Sequence, residues 1–427
     1  MVAVILFGAF LVFVALGMPV AFAMGVAAVV AVLATGDLPL LVVAQRMYTG
    51  IDSYLLMAIP FFLLAGEIMS DGGIAQRLIA FARAVLGHVR GGLAVASTAA
   101  SIVFSGVSGS AAADVSAIGS IVTKPLIREG YSPGFTASMI ATAGVLGPII
   151  PPSILMVVYA SITNVSIAAL FLAGVIPGVL LGVAIMAMGR HYAIRHGIPR
   201  VPFAGWRAVG RSAWEAIPAL IAPLIIIAGI VGGIFTATEA GVIAVLYVLP
   251  VSLFFYRQLS VRDLPRILVR TGFMTATLMF VVATSSAFSY VLAYHDVPRA
   301  VIAGLTAISQ DRYVLLILIL GLIFLIGTVV DVIPAALILV PILHPLAAEL
   351  GFDPIHFALI MVIALQTGGL TPPVGVLLFI ACGLAGIKPR VASPYVWWFV
   401  LMLFVATVAL AFLPDVVLWL PKLFLGR

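Results

Sequence analysis

The chain has 427 residues, 64% of them hydrophobic and only 8% charged, and a net charge of +6. Soluble domains carry about 25% charged residues, so this composition excludes a soluble protein and defines a polytopic α-helical membrane protein. At about 20 residues per span there is room for some ten to twelve crossings or their equivalent in hairpins. The basic residues fall in short loops between apolar runs, which is not the pattern of a nucleic-acid surface. The single cysteine, Cys382, excludes a disulfide framework or a cysteine metal site within one chain.

In chain order, apolar runs lie near 2–17, 18–36, 50–70, 93–122, 135–163, 166–189, 215–235, 238–256, 268–294, 312–343, 354–385 and 394–414. The first follows Met1 with no basic region and no small-residue cleavage site, and reads as a retained helix. Residues 71–90 and 295–311 read as connecting helices, and the basic stretch 190–214 as a connector containing a surface helix. Thr236 and Glu239 form a capping box at a tight turn between two spans.

Four runs do not read as simple spans. Residues 93–122 contain Ser105, Ser108 and Ser110 among glycines, then Asp114; residues 312–343 contain Gly327 and Thr328, then Asp331. Small polar residues in mid-run predict re-entrant hairpins that turn near the membrane midplane. The other two runs are broken by proline, at Gly147-Pro148-Ile149-Ile150-Pro151-Pro152 and at Gly368-Gly369-Leu370-Thr371-Pro372-Pro373. Prolines remove backbone donors and cannot continue a helix, and in a bilayer the orphaned carbonyls survive only inside protein or against a polar cavity. Paired breaks in two halves of a chain point to a transporter's ion and substrate site.

The positive-inside rule supports the hairpins independently. If both are re-entrant, most of the 21 basic residues fall on one side, and only Arg46, Arg299, Arg312, Lys422 and Arg427 on the other. The richer side, with loop 190–214, is then cytoplasmic. The topology becomes two inverted repeats, 1–189 and 215–427, joined by 190–214. Each has three spans, a hairpin, a broken helix and one span. Gly130, Pro133, Gly147, Pro151 and Pro152 match Gly351, Pro354, Gly368, Pro372 and Pro373 at one common offset.

At each break, exposed carbonyls suit a hard cation and a half-helix N-terminus suits a carboxylate. Hydroxyls of the facing hairpin tip complete an uncharged cage for Na⁺. For Asp114 and Asp331 two readings stand: an intramembrane functional carboxylate, or a helix cap or dipole partner at the tip. Glu67 and Asp71 read as a solvated helix end, and His295, His344 and His356 as interface residues without metal-ligand spacing. There is no phosphate loop for ATP and no HExxH, and Gly106-Val107-Ser108-Gly109-Ser110 misses the Gly-x-Ser-x-Gly pattern by one position.

Ser105–Asp114 (SGVSGSAAAD), Gly147–Ser153 (GPIIPPS), Phe235–Ala240 (FTATEA), Gly327–Asp331 (GTVVD) and Leu370–Gly375 (LTPPVG) together resemble the large membrane subunit of tripartite ATP-independent periplasmic (TRAP) transporters, the DctM-like permeases. The resemblance covers nearly the whole chain. It implies an elevator-type, Na⁺-coupled, ATP-independent importer of organic acid anions in the bacterial inner membrane. The hairpins and broken helices would move against a scaffold formed by the starts of each half. A four-helix small membrane subunit, on the face of 2–36 or of 215–256, and a periplasmic substrate-binding protein would be its partners. By the same resemblance one Na⁺ site would use Ser105, Ser108, Gly147, Ile150 and Pro152, and the other Gly327, Gly368, Thr371 and Pro373. Ser110, Asp114, Thr328 and Asp331 remain candidates for substrate binding or for the hairpin tips. A stand-alone Na⁺/dicarboxylate symporter of related architecture and a non-transporting membrane assembly protein are the alternatives.

Overall fold

The computed structural model describes residues 2–372 and 375–426, and the regular structure in them is helical throughout. The chain opens with α1 (Val2–Ala15) and α2 (Val20–Thr35), parted by a turn whose Gly17 has φ +85°. Then come α3 (Leu41–Ile51), α4 (Ala58–Asp71) and the connecting helix α5 (Ile74–Leu86). The first hairpin is α6 (Gly92–Ser108) and α7 (Ala111–Arg128); the first broken helix is α8 (Pro133–Gly144) and α9 (Ile154–Thr163); α10 (Ile167–Arg195) closes this half.

The second half repeats the order. It has α11 (Trp206–Val231), α12 (Ala237–Pro250), the long α13 (Leu264–Tyr294) and the connecting helix α14 (Val297–Ile308). The hairpin α15 (Arg312–Gly327) and α16 (Val332–Glu349) follows, then the broken helix α17 (Pro354–Leu370) and α18 (Val376–Ala385), then α19 (Pro389–Ala411). A last helix, α20 (Pro414–Leu425), lies against α10. Seven helical stretches of the described residues are long and apolar enough to cross a membrane, Ile167–Arg195 and Val261–Tyr294 being the longest.

The capping box at Thr236 and Glu239 forms as read, both reciprocal bonds being present. The connector differs from expectation. Residues 190–214 hold no separate surface helix, because α10 runs on to Arg195 and α11 begins at Trp206. What remains between them is punctuated by Gly197, Pro199, Pro202 and Gly205, which no helix spans. The short α3 and α20 were not anticipated. Polar residues dilute the apolar pattern of α3, and its Arg46 guanidinium lies 3.8 Å over the Tyr290 ring of α13.

The buried centre is made of the hairpins and the broken helices. Every residue of α8 after Pro133 is buried, and nearly every residue of α17 after Ile355. In lipid the apolar effect does not drive helices together, so close backbone approach between small residues matters more. On α6, Ala94, Ala96, Ser97, Ala100 and Ser101 are buried. A Cβ built on Gly189 of α10 would come within 3.2 Å of Ala94. Ser138 of α8 adds a hydrogen bond across to the Ala392 carbonyl of α19, at 3.1 Å.

Candidate ion and substrate site

The first hairpin turns on Gly109, at φ +59°. A Cβ there would stand 2.7 Å from the Pro152 carbonyl oxygen, so the tip presses directly on the first break. Ser110 caps α7, accepting from the Ala113 N–H at 3.5 Å. Asp114, one turn further in, does not cap the helix. Its carboxylate turns back and accepts hydrogen bonds from the Ser105 and Ser108 hydroxyls of α6. All three side chains are at most 1% exposed.

The first break closes this cluster from the other side. A Cβ on Gly147 would lie 2.8 Å from Asp114 Oδ2, so hydrogen alone fits there. The Pro148 carbonyl is taken by the Ser153 hydroxyl at 2.6 Å, and Ser153 in turn caps α9. Among the described residues no backbone N–H donates to the carbonyls of Gly147, Ile150 or Pro152. The expected residues therefore do converge. The difference from the sequence reading is that this cluster holds a carboxylate and is not an uncharged cage. No Lys or Arg among the described residues pairs with Asp114. A buried carboxylate without a cation is costly, and hydroxyl, carbonyl and carboxylate oxygens are the donor set of a hard cation.

The second cluster has the same plan with different chemistry. Gly327 at the end of α15 packs on Gly368 of α17: Cβ atoms built on them would stand 3.1 Å and 2.8 Å from the other's Cα. Thr371 is fully buried, and its hydroxyl donates to the Thr367 carbonyl at 2.9 Å. The Gly368 carbonyl, expected to be orphaned by the prolines, accepts the Thr371 N–H at 2.8 Å. Thr328 spends its hydroxyl proton on the Leu325 carbonyl at 2.7 Å. Asp331 is the N-cap of α16 yet makes no side-chain capping bond; both aspartates stand at helix N-termini, where the dipole-partner reading still applies. Pro373 lies outside the described residues.

Between the two clusters is a cavity of about 440 Å³ that joins the hairpin tips to the breaks. Ser110, Pro148, Asp331 and Gly369 line it, as does Gln366, which the sequence reading passed over. Gln366 is a polar residue within an apolar run two positions before Gly368, the same signal that singled out Asp114. Phe273 and Thr277 of α13 close the opposite wall; a threonine in an ordinary apolar helix gives no such signal. Among the described residues no three His, Cys, Asp or Glu side chains converge as transition-metal ligands.

Two minor readings change. Glu67 is not a solvated end: it is 4% exposed and its carboxylate meets Arg270 of α13 at 3.0 Å. His356 is buried, with its Nε2 3.0 Å from the Leu410 carbonyl, and His344 Nδ1 lies 2.8 Å from the Tyr159 hydroxyl.

Hairpins facing broken helices across a midchain cavity define a secondary-transporter fold. The chain is similar in fold to the YdaH transporter of Alcanivorax borkumensis, with TM-score 0.63 over 86% of each chain at 14% identity. A family model described as "Tripartite ATP-independent periplasmic transporter, DctM component" matches residues 7–416, and the chain belongs to this family of TRAP large permeases. It is 39% identical to the C4-dicarboxylate TRAP large permease protein DctM of Pseudomonas aeruginosa, over 89% of each. It is 36% identical to the sialic acid TRAP large permease protein SiaM of Vibrio cholerae, over 96% of each. The chain is thus a multi-pass membrane permease and not an enzyme. Its family works within TRAP transporters, with a small membrane subunit and a substrate-binding protein.

Proposed function

We propose that this chain is the translocating subunit of a Na⁺-coupled importer of organic acid anions, receiving its substrate from a periplasmic binding protein. The observation that carries the reading is the buried Asp114 carboxylate, held by Ser105 and Ser108 under Gly147 with no cationic partner. Na⁺ supplies the missing charge, with the carbonyls of Gly147, Ile150 and Pro152 as further oxygens. A second Na⁺ lies at Gly327, Gly368 and Thr371, with Pro373 two residues further along the chain. The substrate occupies the cavity between the tips, near Ser110, Asp331 and Gln366, which line it, and Thr328 stays outside that lining. Na⁺ beside the cavity offsets the repulsion between a carboxylate substrate and the aspartates, so ion and anion bind together.

The hairpins and broken helices move as one body against α1–α4 and α11–α13, in an elevator motion that needs no ATP. Loop 190–214 lies in the cytoplasm. Relatives named for C4-dicarboxylates and for sialic acid share a carboxylate as their substrate's charged group, which supports the class of substrate and leaves its particular member to the binding protein. The test is uptake into proteoliposomes containing this chain, its small subunit and the binding protein, with Na⁺ outside. Uptake that persists when choline replaces Na⁺ at fixed pH would overturn the coupling. Uptake by this chain alone would overturn the tripartite reading.

A further inference from the structure

We infer that the cleft between the end of α10 and the first half of α19 is a binding site for an anionic phospholipid. The cleft has a volume of about 670 Å³, within the range of about 300–1,000 Å³ typical of small-ligand pockets. One end of its lining is basic, with His191, Arg195 and His196; the other is apolar, with Met188, Trp398 and Phe399. No carboxylate lines it, and among the described residues Arg195 has no ion-pair partner.

The basic end is held in place. Tyr192 stacks on Phe135 at 3.7 Å and on His196 at 3.8 Å between ring centroids. Tyr192 also donates its hydroxyl proton to Ser132 at 3.1 Å. His196 Nδ1 lies 2.9 Å from the Tyr192 carbonyl, which leaves Nε2 free for a ligand.

The length of the cleft favours a lipid over a free phosphate. Arg195 is the last residue of α10, and Lys388 and Arg390 mark the start of α19, so both helices meet the water boundary here. From Arg195 back to Met188, and from Pro389 on to Trp398, the helices descend about 10 to 14 Å at 1.5 Å per residue. The polar region is only about 5–8 Å deep on each side of the hydrocarbon. The cleft therefore runs from headgroup depth into acyl-chain depth. Trp398 is 65% exposed at that level, so its indole face is offered to an acyl chain. A phosphate at Arg195 and His191 with an acyl chain along Met188 and Trp398 satisfies both ends, and basic clefts between spans are where anionic headgroups bind. A protein partner fits less well: α19 packs mainly on α8 and α17, and α10 mainly on α6 and α20, with α11 the one helix of the expected partner face that α10 also meets.

The experiment is native mass spectrometry of the intact complex, in detergent with added phosphatidylglycerol or phosphatidylcholine. Wild type should retain phosphatidylglycerol in preference. Arg195→Gln should lower that retention about fivefold, the worth of one basic side chain against an anionic lipid surface. Arg207→Gln, at an exposed cation outside the cleft, should not. Trp398→Ala should weaken retention of both lipids. Equal retention of the two lipids by wild type, or equal loss in Arg195→Gln and Arg207→Gln, would overturn the site. In native membranes, a photo-reactive amino acid at position 398 should cross-link to lipid, and a cross-link to the small subunit instead would also overturn it.

Discussion

On the proposed function, Asp114 decides how the first cluster works. Two hydroxyl donors soften the burial of its charge but do not neutralise it. Asp114→Asn keeps the volume, removes the charge and leaves one acceptor oxygen for two serines. On the proposed function it abolishes the rise in melting temperature that Na⁺ gives the wild type through this site, a linkage worth about 2.7 kcal/mol at a hundredfold excess over Kd. Thermal unfolding in detergent with Na⁺ or choline checks this; an unchanged Na⁺ response would reduce Asp114 to a structural role. Thr371 is the matching case in the second cluster. Its proton goes to Thr367, so the hydroxyl oxygen remains free to face a cation. Thr371→Val keeps the shape and removes that oxygen. The expected loss is about 1–3 kcal/mol, a roughly ten- to hundredfold rise in the Na⁺ needed for half-maximal uptake. A packing role predicts an unmoved Na⁺ curve at normal protein levels.

At the scale of elements, the contact of α15 with α17 depends on two facing glycines. Gly327→Ala would place a methyl 3.1 Å from the Gly368 Cα, and backbone cannot give way as a flexible side chain does. Overpacking of this kind costs about 1–3 kcal/mol, to be read as a lower melting temperature, whereas Gly321→Ala on the same helix meets nothing within 4 Å and should be neutral. Both hairpins and both breaks were legible because each contradicts its surroundings: serines, glycines and prolines inside apolar runs have no bland reading in lipid. The extents of α10 and α11 were less legible, since their arginine-bearing ends look like loop. Beyond the facing of tips and breaks, side-chain contacts between distant elements were not legible. Nothing in the order of residues places Arg270 on Glu67, or turns the Asp114 side chain from α7 back to α6. Those follow from how helices pack, and they changed the chemistry assigned to the first cluster from neutral to charged.

For the whole molecule, orientation in the membrane is the property on which the elevator reading depends. The repeats can exchange roles across the bilayer only if they are inverted, and inversion requires both hairpins to re-enter and not to cross. Were either one a single crossing, every later loop would change sides and the basic asymmetry between loops would shrink. Two positions test the three spans that open the second half and the side of the membrane on which they start. Val201 lies in the connector between α10 and α11 and is 42% exposed; Arg299 lies near the start of α14, with its side chain 84% exposed. The hairpin α6–α7 and one broken helix precede both, but an odd number of crossings separates them only if α11, α12 and α13 each span once. The background is simple to prepare, because Cys382 is the sole cysteine and is buried, and Cys382→Ser removes it. With Val201→Cys and Arg299→Cys introduced singly, a membrane-impermeant maleimide applied to intact spheroplasts should label position 299 and spare 201, and lysis should expose 201. Labelling of both from outside, or of neither, would place the two loops on one side and remove the inverted repeat, and with it the elevator. Labelling of 201 alone would reverse the second half, as a hairpin α6–α7 that crosses once or a reversed molecule would, against the excess of arginine and lysine that the positive-inside rule assigns to the cytoplasm.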